Sequence, residues 1–115
     1  TEVTSLEFKI SEIIREKIIL FTSQEIPHFT AVKIDEFKNL DNKAIITASI
    51  IVNKESHKGI IIGKQGSMLK KINMSSSKDI KELLGKKVYL NLFVKVEEDW
   101  LNKSKKLFDL GYFNE

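Results

Sequence analysis

The sequence contains no cysteine among its 115 residues, and this absence excludes several kinds of chemistry. Disulfide frameworks, thiol nucleophiles and Cys-ligated zinc all require that residue. The only histidines, His28 and His57, lie far apart and have no carboxylate partner at metal-ligand spacing, so we expect no metal site. A chain without cysteine fits the reducing cytoplasm, which is the compartment that we expect.

Proline is nearly absent as well, with Pro27 as its single example. There is no internal repeat, low-complexity segment or linker, so a chain of this length predicts one domain over residues 1–115. No apolar run approaches the roughly 20 residues that cross a bilayer. Because the chain starts Thr1-Glu2-Val3, with neither a methionine nor a basic leader, we expect a piece cut from a longer protein.

Arginine is also scarce, since Arg15 is the only one among 19 basic residues. Bidentate recognition of anions by guanidinium groups is therefore largely excluded, and we expect contacts through lysine point charges. The net charge of +3 is too small to indicate a nucleic-acid partner by itself. The position of the lysines must therefore decide.

The first element predicted is a helix over residues 5–23. Thr4 and Glu7 have the spacing of a capping box, and Ser5 is an alternative N-terminal cap. The residues that recur at helical spacing after the cap are Ile10, Ile13, Ile14, Lys17, Ile18 and Phe21. Their spacing indicates one buried helix face.

A β-hairpin is predicted over residues 29–54. Pro27 favours an extended chain before it, and 39–42 supply turn residues. The alternating residues predicted to face the core from the second strand are Ile46, Ala48, Ile50 and Val52. This alternation is typical of a strand with one buried face.

Residues 57–84 are predicted to form two helices around a Gly-x-x-Gly turn. Periodicity alone leaves the apolar run 59–62 open between a strand and a helical turn. The predicted buried stripe of the second helix consists of Leu69, Ile72, Ser76, Ile80 and Leu83, with Gly85 as the C-terminal cap.

The clearest alternation in the chain predicts a strand over 86–97, with a core face of Val88, Leu90, Leu92, Val94 and Val96. Trp100, Leu107 and Leu110 then favour a closing helix over 99–110. The fold class is therefore α/β of the α+β kind, in the order α-β-β-α-α-β-α. A three-stranded sheet packs against the helices.

The turn Gly63-Lys64-Gln65-Gly66 is the segment in which we expect chemistry. Its two glycines allow positive φ and close approach of a ligand to the backbone. A helix beginning at Ser67 would direct free N–H groups and its positive dipole end at that ligand, an arrangement suited to phosphate. Lys64, Lys70 and Lys71 would extend the positive track. The apolar residues expected to line an adjacent groove for unstacked bases are Ile50, Ile61, Ile62, Met68 and Leu69.

Other glycine motifs and catalytic sets do not fit the sequence. A P-loop needs one more residue between its glycines and a hydroxyl where Gln65 stands, and a dinucleotide-binding fingerprint needs glycine where Ile61 stands. No Ser/His/Asp set has a recognisable nucleophile elbow. We therefore expect no enzymatic activity in this chain.

The ordered segments resemble a known family, the C-terminal type II KH domain of the bacterial Era GTPases. The segments that carry the resemblance are 12–17, 25–28, 32–37, 58–66, Leu92 to Trp100 and Leu110-Gly111-Tyr112. Three departures are Gln65, where the family often has lysine, Leu101, where it often has arginine, and Phe29, where a small polar residue is common.

The resemblance implies a type II KH fold that binds single-stranded RNA near the 3′ end of 16S ribosomal RNA during assembly of the 30S subunit. The implied RNA-binding residues are Ile62, Gly63, Lys64, Gln65, Gly66, Ser67, Lys70 and Lys71. The chain itself would need no cofactor, because GTP and magnesium belong to an N-terminal GTPase domain that is absent here. A cytoplasmic monomer is implied, with peripheral association with the inner membrane as a second location.

A second interpretation stays open, namely a regulatory domain that contacts its GTPase domain or a ribosomal protein. The acidic run Glu97 to Asp99 and the modest net charge are compatible with such a protein contact.

Overall fold

Residues 2–22, 26 and 30–98 are described in the computed structural model, with side chains from residue 6 onward, and they form helices and strands in the predicted order. The elements are α1 (Glu2–Phe21), β1 (Thr30–Asn39), β2 (Lys43–Val52), α2 (Glu55–Ile62), α3 (Ser67–Leu84) and β3 (Lys87–Val96). A 3-10 turn, Lys64–Gly66, separates α2 from α3. The run 59–62, left open by its periodicity, is helical. The predicted helix 99–110 lies outside the described residues.

The first helix begins earlier than its capping signal indicates. Since α1 already includes Glu2, the prediction that Thr4 or Ser5 caps it is wrong. Serine and threonine cost at most about 0.7 kcal/mol inside a helix, so a cap-like sequence does not force a helix to start there. The helix ends at Phe21, and the Thr22 hydroxyl donates to the Ile18 carbonyl at 2.6 Å.

The sheet has the strand order β1-β2-β3 and mixed direction. β1 and β2 pair antiparallel as predicted, whereas β2 and β3 pair parallel, from Lys43 opposite Lys87 to Val52 opposite Val96. Parallel neighbours need a crossover connection, and α2, the turn and α3 provide it. The fold therefore places the Gly-x-x-Gly turn within the connection between two neighbouring strands.

A bulge interrupts β1 between Ile34 and Glu36. The extra residue, Asp35, accepts a hydrogen bond from the buried Ser49 hydroxyl of β2. Because the bulge shifts the alternation by one residue, Phe37 faces the core three positions after Ile34. The alternation of inward and outward residues is therefore interrupted at Asp35 and resumes after it.

The core lies between one face of the sheet and the helices, and isoleucine dominates it. The fully buried members are Ile10, Ile14, Ile18, Ala44, Ile46, Ala48, Ile50, Val52, Ile61, Ile72 and Ile80. The predicted core faces of β2 and β3 are confirmed. The predicted stripe of α3 is wrong at its end, because Leu83 is exposed and Leu84 packs against the core. A helix that places Ile72, Ser76 and Ile80 inward every fourth residue reaches the core again at 84.

Two polar contacts, from Lys17 and Arg15, hold α1 against the rest of the domain. Lys17 donates to Asp79 of α3 at 2.5 Å and to Glu16 at 3.1 Å. The hydrogen bond with Asp79 raises the pKa of the Lys17 ammonium above its ordinary value of 10.5, against the opposing effect of burial. Arg15 donates to the Thr30 carbonyl of β1 at 2.7 Å.

Candidate nucleic-acid interface

The Gly-x-x-Gly turn begins where α2 ends, at Gly63. This residue has φ 75° and ψ 176°, and its N–H donates to the Gly59 carbonyl at 2.8 Å. A Cβ at this position would lie 2.6 Å from the Cβ of Met68 and 2.8 Å from its backbone nitrogen. Backbone conformation and close contact with α3 both require glycine here.

Two further residues of the turn, Gln65 and Gly66, have left-handed backbone conformations. Gln65 has φ 56° and ψ 29°, an uncommon geometry for a residue with a side chain, and Gly66 has φ 78°. The Gly66 N–H donates back to the Gly63 carbonyl at 3.1 Å. This tight geometry leaves Lys64 and Gln65 exposed between the glycines.

The N-terminus of α3 follows the turn directly. No side chain among the described residues caps it, and Gly66 occupies the cap position. The first N–H groups of a helix have no partner within the helix, and they carry the positive end of its dipole. Ser67 is exposed beside them, so the backbone and one hydroxyl can donate to an anion.

The three lysines that the sequence predicts at this site do not lie in equivalent places. Lys64 and Lys70 are exposed, at the turn and on the first turns of α3. Lys71 is also exposed, but its Nζ lies 4.4 Å from the centroid of the Phe21 ring of α1. That cation–π contact gives Lys71 a structural partner and draws its charge towards α1.

The apolar groove predicted beside the turn is only partly present. Ile50 and Ile61 are fully buried, so the prediction that they line a groove is wrong: they face the core from β2 and α2. Ile62, Met68 and Leu69 are half-buried and reach the surface. Ile60, which sequence reasoning left out of the groove, is 44% exposed one turn before Gly63. The sequence signal for an exposed Ile60 was its place in the apolar run 59–62, because consecutive residues of a helix cannot all face inward.

Sequence reasoning also missed a hollow further along α3. It has a volume of about 400 Å³, and its lining residues are Asn73, Met74, Ser77, Lys78, Lys81 and Val88. Asn73 donates from Nδ2 to the Leu90 carbonyl of β3 at 2.8 Å, and the Ser77 hydroxyl donates to Asn73 Oδ1 at 3.0 Å. The sequence signal was the spacing of Asn73, Ser77 and Lys81, which share one helix face.

The described residues contain neither a metal-binding cluster nor a membrane-spanning helix. Within residues 2–22, 26 and 30–98, no group of three or more histidine, aspartate or glutamate side chains lies close enough to hold a metal ion. None of the helices in the described ranges has the length and apolar character of a membrane span.

Comparison with known proteins identifies the arrangement. The family model described as KH domain matches residues 25–101. The GTPase Era of Trichlorobacter lovleyi is 49% identical over 107 residues, which cover 92% of this chain and 36% of that protein. The GTPase Era of Alkaliphilus oremlandii is 53% identical over 105 residues, covering 90% and 36%. The chain thus spans about a third of the length of these relatives.

Two solved structures share the fold. One is an Aquifex aeolicus Era variant bound to GDP·AlF4⁻, and the other is Era in complex with MgGDPNP and nucleotides 1506–1542 of 16S ribosomal RNA. Each has a TM-score of 0.82 and 41% identity, over 93% of this chain and 36% of the solved chain. The type II arrangement expected for the sheet and helices is confirmed, and the match on this chain is to the KH domain of such proteins.

Proposed function

The chain belongs to the KH domain family, and from that premise we propose that it binds single-stranded RNA through the turn between α2 and α3. The observation that carries the proposal is the pair Gly63 and Gly66 at positive φ, with exposed Lys64 and Gln65 between them. The turn joins two helices flanked by the parallel strands β2 and β3. In this layout a KH module clamps about four nucleotides by their backbone.

The proposed division of labour follows from exposure and charge. Free N–H groups at the start of α3 donate to a phosphate, and the Ser67 hydroxyl adds a donor. Lys64 and Lys70 act as point charges along the backbone. The residues that we assign to the RNA interface are Ile62, Gly63, Lys64, Gln65, Gly66, Ser67, Lys70 and Lys71. We place Lys71 at the edge of this interface, because its ammonium already lies over the ring of Phe21.

The proposed target is the 3′ end of 16S ribosomal RNA. The complex of Era with nucleotides 1506–1542 of that RNA supports the choice, since the chain shares 41% of its residues with that protein. The chain would then serve as the RNA-binding domain of an Era-like GTPase in assembly of the 30S subunit. GTP and magnesium would be held by a GTPase domain that the chain does not cover.

The proposal extends to the setting in which the chain acts. It would be a monomer in the cytoplasm, with the 30S subunit as its partner and a peripheral site at the inner membrane. Analytical ultracentrifugation measures the oligomeric state, and sedimentation with vesicles of anionic lipid measures the membrane association.

The test is a fluorescence-anisotropy titration with a short RNA copying the 3′ end of 16S ribosomal RNA, beside a scrambled RNA, at several salt concentrations. We expect preference for the ribosomal sequence, and a steep loss of affinity with added salt. Lys64→Asp combined with Gln65→Asp should abolish the preference for the ribosomal sequence while the thermal unfolding midpoint is kept. Aspartate tolerates the left-handed backbone of position 65, and both side chains are exposed.

A matched variant separates the site from general charge. Lys9→Asp makes the same charge change as Lys64→Asp, but at an exposed lysine of α1, away from the turn. If both single variants weaken RNA binding equally, the turn is not the site. If binding is weak, insensitive to salt and equal for both RNAs, the protein-contact interpretation replaces this one.

A further inference from the structure

The face of the sheet away from the helices carries a regular stripe that the Gly-x-x-Gly turn does not use. Alternate residues of β3 are exposed along its whole length: Lys87, Tyr89, Asn91, Phe93 and Lys95. Tyr89 and Phe93 are 51% and 54% exposed. Two large rings on one strand face expose apolar surface without a partner among the described residues, which is typical of an interaction surface.

The neighbouring strand leaves the rings accessible. Ser49 lies beside Phe93 in the parallel register, and Ile45 lies beside Tyr89. Ser49 is 1% exposed, with its hydroxyl donated to Asp35, so it does not extend over the ring. Tyr89 and Phe93 are four residues apart, about 13 Å along a strand. Each ring would therefore receive a separate base.

The charges on this face favour a polyanion. Its lysines are Lys33 and Lys38 on β1, Lys43 on β2, and Lys87 and Lys95 on β3. Its acids are Asp35, which accepts the hydrogen bond from Ser49, and Glu36, which pairs with Lys38 at 3.7 Å. The lysine excess is complementary to phosphate. In a two-fold dimer the same lysines would meet one another, which disfavours a second copy of the chain as the occupant.

We propose that this sheet face is a second surface for single-stranded RNA, on which Tyr89 and Phe93 stack bases while Lys87 and Lys95 hold the backbone. Proteins that bind single strands without sequence preference combine aromatic platforms with a positive groove in this manner. The Asn91 side chain, between the rings, offers a donor and an acceptor to a base edge. The choice of RNA as the single-stranded nucleic acid rests on the proposed function above.

The stripe and the Gly-x-x-Gly turn are separate sites. The turn lies in the helical layer, whereas the stripe lies on the opposite face of the sheet. Substitutions at one site therefore leave the other intact, and the two proposals are tested independently.

The experiment uses the full 115-residue chain and a short fluorescein-labelled oligouridylate. Tyr89→Ala with Phe93→Ala should weaken its binding by about tenfold or more for each base that stacks. Tyr89→Phe with Phe93→Tyr keeps both rings and should keep the affinity within about twofold. The combined Asp variant at Lys64 and Gln65 should lose preference for the ribosomal RNA, yet its remaining binding to oligouridylate should still depend on the two rings.

Three outcomes overturn the proposal. In the first, the alanine variant binds oligouridylate as tightly as the unaltered chain does. In the second, the alanine variant loses as much affinity for a duplex RNA, which offers no unstacked base, as for oligouridylate. In the third, sedimentation shows that the unaltered chain is a dimer and that the alanine variant is not. None of these results bears on the ribosomal preference set by the turn, which the Asp variant reports separately.

Discussion

The ammonium of Lys17 on α1 lies 2.5 Å from a carboxylate oxygen of Asp79 on α3, and the two partners differ in burial. The Lys17 side chain is 9% exposed, whereas that of Asp79 is 35% exposed. A charge left without its partner costs more when it is buried. Removing Asp79 should therefore cost more unfolding free energy than removing Lys17.

We expect Asp79→Ala to lower the free energy of unfolding by about 1–3 kcal/mol, because it leaves the buried ammonium with only Glu16. Lys17→Met keeps the apolar stem and leaves a half-exposed carboxylate, so its cost should be below about 1 kcal/mol. Urea denaturation of both variants makes the comparison. Glu16→Gln is the control at an exposed partner, with an expected change within about 0.5 kcal/mol. Equal losses for the two main variants would contradict this account.

The same contact predicts a pH dependence at alkaline pH. The pKa of Lys17 is higher in the folded chain than its ordinary value of 10.5. The stabilisation by Lys17 is therefore fully present below pH 10.5 and is lost as the pH rises through the pKa of the folded state. Since other lysines also titrate there, the measurement is the difference in unfolding free energy between the unaltered chain and Lys17→Met. That difference should shrink at high pH. A constant difference would show that the ionised pair contributes nothing.

Glycine at position 63 should be more strictly required than at position 66. Gly63→Ala would place its Cβ within 3 Å of Met68 and strain a left-handed backbone, so we expect a loss of about 2–4 kcal/mol. Gly66→Ala meets open space at a similar φ and should cost only about 1 kcal/mol. Gly59→Ala, in open space within α2, should be neutral or stabilising. Thermal unfolding of the three variants gives the order, and equal costs at 63 and 66 would show that Met68 yields.

Ser76→Ala should stabilise the chain. The Ser76 hydroxyl is fully buried in α3 and has no hydrogen-bond partner among the described residues. Removing it relieves an unsatisfied polar atom and improves helix propensity, so we expect a gain of about 0.5–1 kcal/mol. Ser77→Ala is the matched control, because that hydroxyl donates to Asn73 and its removal should cost about 0.5–1 kcal/mol. Destabilisation by Ser76→Ala would reveal a partner for its hydroxyl.

The sequence predicts the elements of this fold well because their signals are local. The alternation from Val88 to Val96 and the cap at Gly85 both appear in the structure as expected. The parallel direction of β3 depends on a crossover, and no pattern inside the strand encodes it. The bulge at Asp35 depends on its contact with Ser49 across the sheet. Leu83 and Leu84 are both apolar, and the four-residue spacing of Ile72, Ser76 and Ile80 continues to Leu84 rather than to Leu83.

The same holds for the candidate site, where local features could be predicted from the sequence and contacts between elements could not. The turn 63–66 is evident from its glycines, and the positive φ angles of Gly63 and Gly66 follow from them, whereas the positive φ of Gln65 does not. Burial of Ile50 and Ile61 could not be separated from exposure of Ile60, since an apolar side chain serves equally well in a core and in a groove. The contact of Lys71 with Phe21 joins α3 to α1, and helical periodicity within one element gives no information on such a partner.

The crossover between β2 and β3 also sets an order of folding. Asn39 pairs with Ala44 across a short turn, whereas Lys43 pairs with Lys87 only after α2, the turn and α3 have been synthesised and placed. Closing the longer loop costs more chain entropy, so we expect the hairpin to form before β3 docks. Conservative substitutions at Ile46 and Val94 would test this order through their effects on folding rate, and slower folding from Val94 alone would refute it. On this order a nascent chain forms its hairpin before the turn 63–66 is fixed between β2 and β3, and the docking of β3 is the last step in building the sheet.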